Sequence, residues 1–250
     1  TRTLTVINAE NNGNFAARLL GRVSGWGGIV KEGTGHINLG NPGNDFGGGF
    51  TLREGTLQLG VNNPLGTGPF RIEGGTLMPQ GIQTRTVTNP VVVAGGFTVQ
   101  VGGTGATLHL EGGIDLEGSE RSLALAGSGA KMFRGVSNGS LSLNTDAPGN
   151  GIFILNGTNV LEGLHFGSNV HCTLDAAAML VLAVGADGVN GQMGGAGTNV
   201  LDGRLAFDLS GADTAPGNAW RIVAPELLSN TVFSASFAVD SFTDDGSGSW

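Results

Sequence analysis

The fold is decided by Glu32-Gly33-Thr34-Gly35-His36-Ile37-Asn38-Leu39, a pattern that returns at Glu54-Gly55-Thr56-Leu57-Gln58-Leu59 and at Glu73-Gly74-Gly75-Thr76-Leu77. In each copy a glycine turn precedes a short run of mostly alternating apolar and polar residues. Such alternation is typical of a strand with one buried face. The glycines at 33, 55 and 75 lie 22 and 20 residues apart, about the length of one coil of a β-solenoid.

The composition agrees with many tight turns between short buried strands. The chain has 47 glycines in 250 residues, 39% hydrophobic residues and 13% charged residues. The glycines do not recur at every third position, which excludes collagen, and the apolar content argues against disorder. A single all-β solenoid of this length is routine.

The net charge of −8 argues against a nucleic-acid partner, because neutralising phosphates requires a basic surface. The longest apolar run, at 176–184, is too short to span a bilayer, so no membrane span is expected. Lys31 and Lys131 are the two lysines of the chain. Because lysine on an edge strand hinders pairing with another chain, so few lysines leave the strand edges weakly protected against association. The single cysteine, Cys172, lies in an alternating run and is expected to be a buried free thiol.

Three regions follow from these patterns. Residues 1–27 form an N-terminal strand and cap, in which 15–20 is the one helix-tolerant piece. Residues 28–200 carry the solenoid repeats, and residues 201–250 form C-terminal coils or a cap, as every solenoid needs. At about 20 residues per coil the chain would make roughly 11 or 12 coils and a rod of about 55 Å.

The repeats resemble the autotransporter-associated β-strand repeat. The resemblance lies in Gly28-Ile29-Val30-Lys31-Glu32-Gly33-Thr34-Gly35, in the glycine- and asparagine-rich loop at 40–48, and in Glu54-Gly55-Thr56-Leu57-Gln58-Leu59-Gly60. The continuation at 63–77 also fits, so the clear match covers 28–77, with a weaker echo over the rest. The run at 207–223 resembles the segment that often follows such repeats in large exported bacterial proteins. The resemblance implies a right-handed parallel β-helix with N-terminal and C-terminal caps in an exported bacterial protein, extracellular or at the cell surface. It implies no catalytic residues and no cofactor.

An enzymatic β-helix would need clustered carboxylates with a nearby cation. Asp115, Glu117, Glu120 and Arg121 are the densest such group, but they flank a Gly-Ser turn and are expected to be solvated. No catalytic or cofactor-binding site is therefore predicted.

Two features of the sequence could suggest a metal site. The four histidines, His36, His109, His165 and His171, show no metal-ligand spacing, and His109 and His165 are expected to face solvent. The segment 194–203 resembles one calcium-binding nonapeptide but has Asn199 where aspartate is expected, and calcium is shared between consecutive copies. No metal site is predicted.

The sequence thus predicts a non-enzymatic structural or adhesive β-solenoid. Its expected partner is itself, as a homopolymer in fibres or filaments, with Thr3-Leu4-Thr5-Val6 as the strand that pairs with a neighbouring copy. The alternative is a carbohydrate-binding or carbohydrate-active β-helix that contacts surface glycans. In that alternative Trp26, Trp220 and Trp250 are the sugar-stacking residues.

Overall fold

The computed structural model describes residues 2–5, 17–145, 147–186, 188, 190–213 and 218–240, with the backbone alone at 3–5. The described chain is nearly all-β and forms a parallel β-solenoid of about nine turns. All strand pairings between the named strands are parallel and join successive turns.

The strands are short. The first group is β1 (Arg2–Thr5), β2 (Ala17–Leu19), β3 (Ile29–Glu32), β4 (His36–Leu39), β5 (Phe50–Leu52), β6 (Thr56–Leu59), β7 (Phe70–Ile72) and β8 (Thr76–Pro79). Next come β9 (Arg85–Val87), β10 (Val91–Val93), β11 (Phe97–Gln100), β12 (Thr107–Leu110), β13 (Ile114–Ala126), β14 (Ala130–Arg134), β15 (Val136–Thr145) and β16 (Gly151–Asn156). The last are β17 (Thr158–Leu161), β18 (Gly163–Phe166), β19 (Val170–Leu174), β20 (Met179–Ala183), β21 (Gln192–Gly195), β22 (Thr198–Leu201), β23 (Arg204–Asp208), α1 (Pro225–Leu228), β24 (Thr231–Phe233) and β25 (Ala238–Val239).

These strands stack into three faces. Face 1 runs from β1 through β3, β5, β7 and β10 to β25, and face 2 runs from β2 through β4, β6 and β8 to β21. The long strands β13 and β15 continue from face 1 around the corner into face 2. Face 3 is a separate seven-stranded sheet from β9 to β24.

The core consists of ladders of apolar side chains that point inward from successive turns. On face 1, Phe50 lies beside Phe70 and Phe70 beside Val91, and all three are buried. Phe50 and Phe70 meet edge to face with their ring centroids 6.1 Å apart. The alternation that predicted half-buried strands therefore corresponds to one face in the core and one toward solvent.

The repeated glycines lie at the corners between faces 1 and 2. Gly55 has φ of +72°, and a Cβ atom there would lie 2.4 Å from the carbonyl oxygen of Gly33 one turn below. A side chain is therefore excluded both by the left-handed backbone and by the stacked corner. This is why the motif glycines recur once per coil.

The described residues form about nine turns, against roughly 11 or 12 expected for the whole chain, and the last two turns are longer than 20 residues. Met179 pairs with Arg204, 25 residues on, and Arg204 pairs with Ala238, 34 residues on. The extra residues form face 3 strands, α1 and loops. At about 4.8 Å per turn, nine turns span about 43 Å.

The helix-tolerant piece at 15–20 is not helical where it is described: Ala17–Leu19 is β2, paired with β4. Pairing in the ladder overrides the weak helical preference. The ladders also run on across the expected boundaries at 27 and 200, so the three-region division stays a prediction. Residues 6–16 and 241–250 lie outside the described chain, so the two expected caps also remain predictions.

Candidate functional site

Both lysines are buried at corners of the solenoid. The Lys31 ammonium donates to the carbonyl oxygens of Glu32 and Glu54, each at 2.9 Å, and to that of Gly33. The Lys131 ammonium donates to those of Gly127 and Asn150, each at 2.6 Å. Burial lowers the pKa of both amines, that of Lys131 to about 8. These lysines satisfy corner carbonyls and leave the protein surface without any lysine side chain.

A charged network runs along the corner between faces 1 and 2. Arg53 pairs with Glu32 at 2.6 Å and with Glu73 at 2.8 Å, and Glu73 pairs with Arg71 at 3.0 Å. Arg71 then reaches Glu117 at 2.7 Å. Hydrogen bonds from Arg53 and Arg71 lower the pKa of Glu73 against the opposing effect of desolvation by burial.

The acidic group at 115–121 takes part in this network. Glu117 lies at a bulge in β13 with φ of +52°, which turns its carboxylate toward Arg71 and, at 3.9 Å, toward Arg121. The Asp115 carboxylate accepts from the Glu117 amide and from Asn138. Asp115, Glu117 and Arg121 therefore brace a bulge within strand β13 through ion pairs and hydrogen bonds, whereas the sequence predicted a solvated turn.

The histidines are spread over the faces. His165 and His171 are exposed and His109 is half-buried, with Nδ1 3.5 Å from Glu111. Among the described residues no three His, Cys, Asp or Glu side chains lie close enough to hold a metal. Cys172 is buried and free, as expected.

The calcium-like segment at 194–203 forms β21, a corner and β22. Asn199 points into the core with 2% of its surface exposed. Asp202 accepts hydrogen bonds from the hydroxyls of Ser234 and Ser236. The position where aspartate is expected thus faces inward, away from solvent.

Trp26 is the most exposed large apolar side chain of the described chain, at 98%. It follows Gly25 at a corner of the first turns, beside an open recess of about 270 Å³ lined by Gly25, Trp26, Asp45, Gly47 and Thr67. We call this recess the Trp26 shelf. Asp45 accepts a hydrogen bond from Arg22, and that bond lowers the pKa of the carboxyl.

Backbone ladders hold the shelf in place. The amide of Gly47 donates to the carbonyl of Gly25 at 2.8 Å, and that of Asp45 to Val23 at 3.0 Å. The amide of Thr67 donates to the carbonyl of Phe46 at 3.1 Å, and Phe46 is buried in the core. Three successive turns thus present Trp26, Asp45 and Thr67 on one rigid surface.

Trp220 lies in a different setting. Its indole nitrogen donates to the carbonyl of Ala186 at 3.0 Å, and its side chain is half-buried. It borders a recess of about 570 Å³ together with Asn190, Gln192 and Arg221. The amides of Asn190 and Gln192 donate to the carbonyl of Arg221 at 2.9 and 3.0 Å, which ties this loop to the solenoid. Trp250 lies outside the described residues.

The two ends of the solenoid differ. At one end β1 pairs with β3 of the same chain, in the register Thr3 to Val30, Leu4 to Lys31 and Thr5 to Glu32; Val6 lies outside the described residues. At the other end Leu228, Val232 and Phe233 are 50%, 60% and 48% exposed.

Phe233 continues an inward ladder. It pairs with Leu201, which pairs with Leu174 and so on down face 3. Phe237 packs against it edge to face, with ring centroids 5.0 Å apart. An inward position of the last turn is therefore half open to solvent.

The sequence patterns did not single out Asp45, Thr67, Leu228, Val232 or Phe233. Thr67 lies 20 residues after Gly47, one coil length here, and that spacing is the signal that would have placed it on the surface that holds Asp45 and Gly47. The sequence gives no local signal for exposure at the last turn, because a core-facing residue has the same pattern in the last turn as in a middle turn.

Comparisons with protein families, with curated proteins and with solved structures give no match for this chain. The resemblance to the autotransporter-associated repeat therefore rests on the residues quoted above. No helix among the described residues is long and apolar enough to cross a membrane.

Proposed function

We propose that this protein is a structural and adhesive β-solenoid, displayed outside a bacterial cell, whose copies join head to tail into filaments. The observation that carries the proposal is the half-exposed Phe233 at the end of an inward ladder. A second solenoid that docks there would bury Phe233 and extend the parallel strand ladder. The extracellular location rests on the repeat resemblance at 28–77.

Charge supports a head-to-tail contact. Residues 1–27 hold three arginines and one glutamate, whereas residues 201–250 hold seven acidic residues and two arginines. The first segment contains β1 and β2, and the last contains β24 and β25. Opposite charges at two different surfaces favour a heterologous contact, and heterologous contacts that do not close produce filaments.

The edge strands at the two ends of the solenoid are also poorly protected against pairing with another copy. Natural edge strands are protected chiefly by lysine, proline and bulges. Here both lysines are buried at corners, and the last strand of face 3 is Thr231–Phe233, which has none of these devices. β1 supplies a similarly short edge at the other end.

The experiment is electron microscopy and sedimentation velocity of the chain from about 1 to 500 µM, at low and high salt. We expect filaments with an axial repeat of about 43 Å per copy, set by nine turns of about 4.8 Å, and weaker assembly at high salt because the end charges are screened. Protein that stays monomeric over the whole range contradicts the proposal.

A matched pair of variants locates the contact. Val232→Lys places a charge on the last strand and is expected to raise the assembly concentration about tenfold, which corresponds to about 1.4 kcal/mol. Val160→Lys places the same charge on an exposed valine of β17, in the middle of face 1, and is expected to leave assembly unchanged. Equal effects of the two variants would place the contact elsewhere.

A further inference from the structure

We propose that the Trp26 shelf binds a neutral hexopyranose unit of a glycan, stacked on the indole ring of Trp26 and hydrogen-bonded to Asp45 and Thr67. The proposal concerns a ligand site on the side of the solenoid and does not depend on joining of its ends.

The exposure of Trp26 is the first reason. Tryptophan is the largest apolar side chain and usually buries most of its surface, yet Trp26 is 98% exposed, while the core phenylalanines of the neighbouring turns, Phe46 and Phe50, are almost fully buried. The ring lies beside a rigid stacked backbone. An exposed indole ring beside a rigid backbone can serve as a flat surface on which a ligand stacks.

The polar groups are the second reason. A pyranose presents an apolar C–H surface to an aromatic ring and hydroxyl groups at its rim. The Asp45 carboxylate, whose pKa the Arg22 hydrogen bond lowers, stays ionised and accepts hydrogen bonds from hydroxyls. The Thr67 hydroxyl both donates and accepts. The same carboxylate repels acidic sugars, so the expected ligand is neutral.

The shape of the shelf is the third reason. A Cβ atom at Gly47 would have no neighbour closer than Thr67 Oγ1, at 4.0 Å, whereas one at Gly48 would lie 2.3 Å from the Gly28 amide nitrogen. The fold therefore requires glycine at 48 but has room for a side chain at 47. Glycine at 47 keeps the floor of the shelf empty. The volume of about 270 Å³ lies just below the roughly 300–1,000 Å³ of drug-sized pockets, which suits one sugar ring.

The surroundings favour a sugar over a second copy of the chain. A stable protein interface buries about 800 Å² on each partner around an apolar centre. The residues around Trp26 on the shelf are glycines, Asp45 and Thr67, with the Arg22–Asp45 ion pair at its edge. A small, polar rim around one aromatic ring is the setting of a small polar ligand.

The test is titration of the ¹⁵N-labelled chain with cello-, malto-, manno- and laminarihexaose, observed at the tryptophan indole N–H signals. Trp26→Phe assigns the Trp26 signal. We expect that signal to move with at least one hexose oligomer, with a dissociation constant of about 0.1–10 mM as befits a contact with one or two rings, while the Trp220 signal stays in place. Oligogalacturonate, the acidic counterpart, is expected to leave the Trp26 signal unmoved.

Four variants complete the test. Trp26→Ala is expected to abolish binding and Asp45→Ala to weaken it at least tenfold. Gly47→Leu fills the shelf and is expected to weaken binding at least tenfold. Its matched control is Gly21→Leu, because a Cβ atom at Gly21 likewise meets nothing within 4 Å. Thermal unfolding confirms that each variant is folded.

No movement of the Trp26 signal with any neutral oligomer at 20 mM overturns the proposal, as does unchanged binding by Gly47→Leu. Loss of filaments in Trp26→Ala without any sugar effect also overturns it and makes the indole part of a contact between copies. Val232→Lys is expected to bind sugar normally, so failure of the glycan site and failure of filament assembly are separable.

Discussion

Arg71 and Glu117 form a two-pronged ion pair across 46 positions of sequence, with Nη1–Oε1 and Nη2–Oε2 distances of 2.7 and 3.2 Å. The pair reaches over the intervening turn, whose corner is Ala94-Gly95-Gly96. A Cβ atom at Gly95 would lie 2.2 Å from the carbonyl oxygen of Glu73. Position 95 therefore has to be glycine, and no side chain there stands between the Arg71 guanidinium and the Glu117 carboxylate.

This ion pair is expected to contribute little to stability. Both side chains are more than a third exposed, and exposed pairs contribute about 0.2–1 kcal/mol. A double-mutant cycle with Arg71→Ala and Glu117→Gln, measured by urea unfolding at 50 mM salt, should give a coupling free energy in that range. At 1 M salt the coupling should shrink, because salt screens exposed charges. A coupling above about 2 kcal/mol would show a more rigid network than the exposure implies.

The corner glycine Gly55 is expected to be indispensable. Gly55→Ala combines a left-handed backbone with a Cβ atom 2.4 Å from the Gly33 carbonyl oxygen and 2.7 Å from the Lys31 ammonium. We expect a loss of at least about 2 kcal/mol in the free energy of unfolding. Gly21→Ala, in open space, should change it by less than about 0.5 kcal/mol. Similar losses in both variants would mean that the stacked corner relaxes freely.

Lys131 should make the protein more stable in mild alkali. Burial lowers its pKa to about 8 in the folded chain, against about 10.4 in an unfolded chain. Between these values the unfolded chain binds more protons, so the free energy of unfolding rises with pH. Allowing for solvent screening, we expect a rise of about 1–2 kcal/mol from pH 7.5 to pH 10.

The measurement belongs in a Cys172→Ala background. Burial raises the pKa of the Cys172 thiol, so the unfolded chain loses that proton first and stability falls as pH rises above about 8.5. Removing the thiol leaves the lysines as the buried groups that titrate in this window. Lys131→Met in the same background should flatten the rise. A rise that persists in Lys131→Met would have to come from Lys31, whose pKa is also lowered.

Cys172 should be unreactive until the solenoid opens. The thiol lies in the face 3 core beside Phe153 and Asn199, and both its burial and its raised pKa suppress the thiolate. Labelling with an aromatic disulfide reagent should be roughly 1,000-fold slower in native protein than in urea-unfolded protein, as expected for an opening free energy of several kcal/mol. Labelling at the unfolded rate would contradict the core position.

Much of the fold was predictable from local pattern. The glycines at 33, 55 and 75 marked the corners correctly because each needs a left-handed backbone, which leaves a signature in composition. The alternating runs such as Phe50–Leu52 marked strands because one side chain in two is buried. The described residues form about nine turns, against roughly 11 or 12 expected for the whole chain, and the 25- and 34-residue spacings after Met179 follow no repeat.

The candidate site was predictable only in part. Trp26 was singled out as an aromatic side chain, but an exposed tryptophan and a core tryptophan look alike in sequence. Asp45 and Thr67 share a surface with Trp26 because Trp26, Gly47 and Thr67 stack in successive turns, about 4.8 Å apart, and Asp45 lies two residues before Gly47. Lysine is usually a surface residue, so residue type alone would place Lys31 and Lys131 at the surface. The structure instead buries both of them at stacked corners.

The sequence by itself determined the parallel solenoid, because its repeat period and its alternation are properties of neighbouring residues. Only the tertiary structure decided which side chains share a surface: Trp26 with Asp45 and Thr67, Arg71 with Glu117, and Phe233 at the open end of its ladder. These neighbours depend on the length of every intervening turn. Those lengths vary from 20 residues between Phe50 and Phe70 to 34 between Arg204 and Ala238, and no local pattern records them.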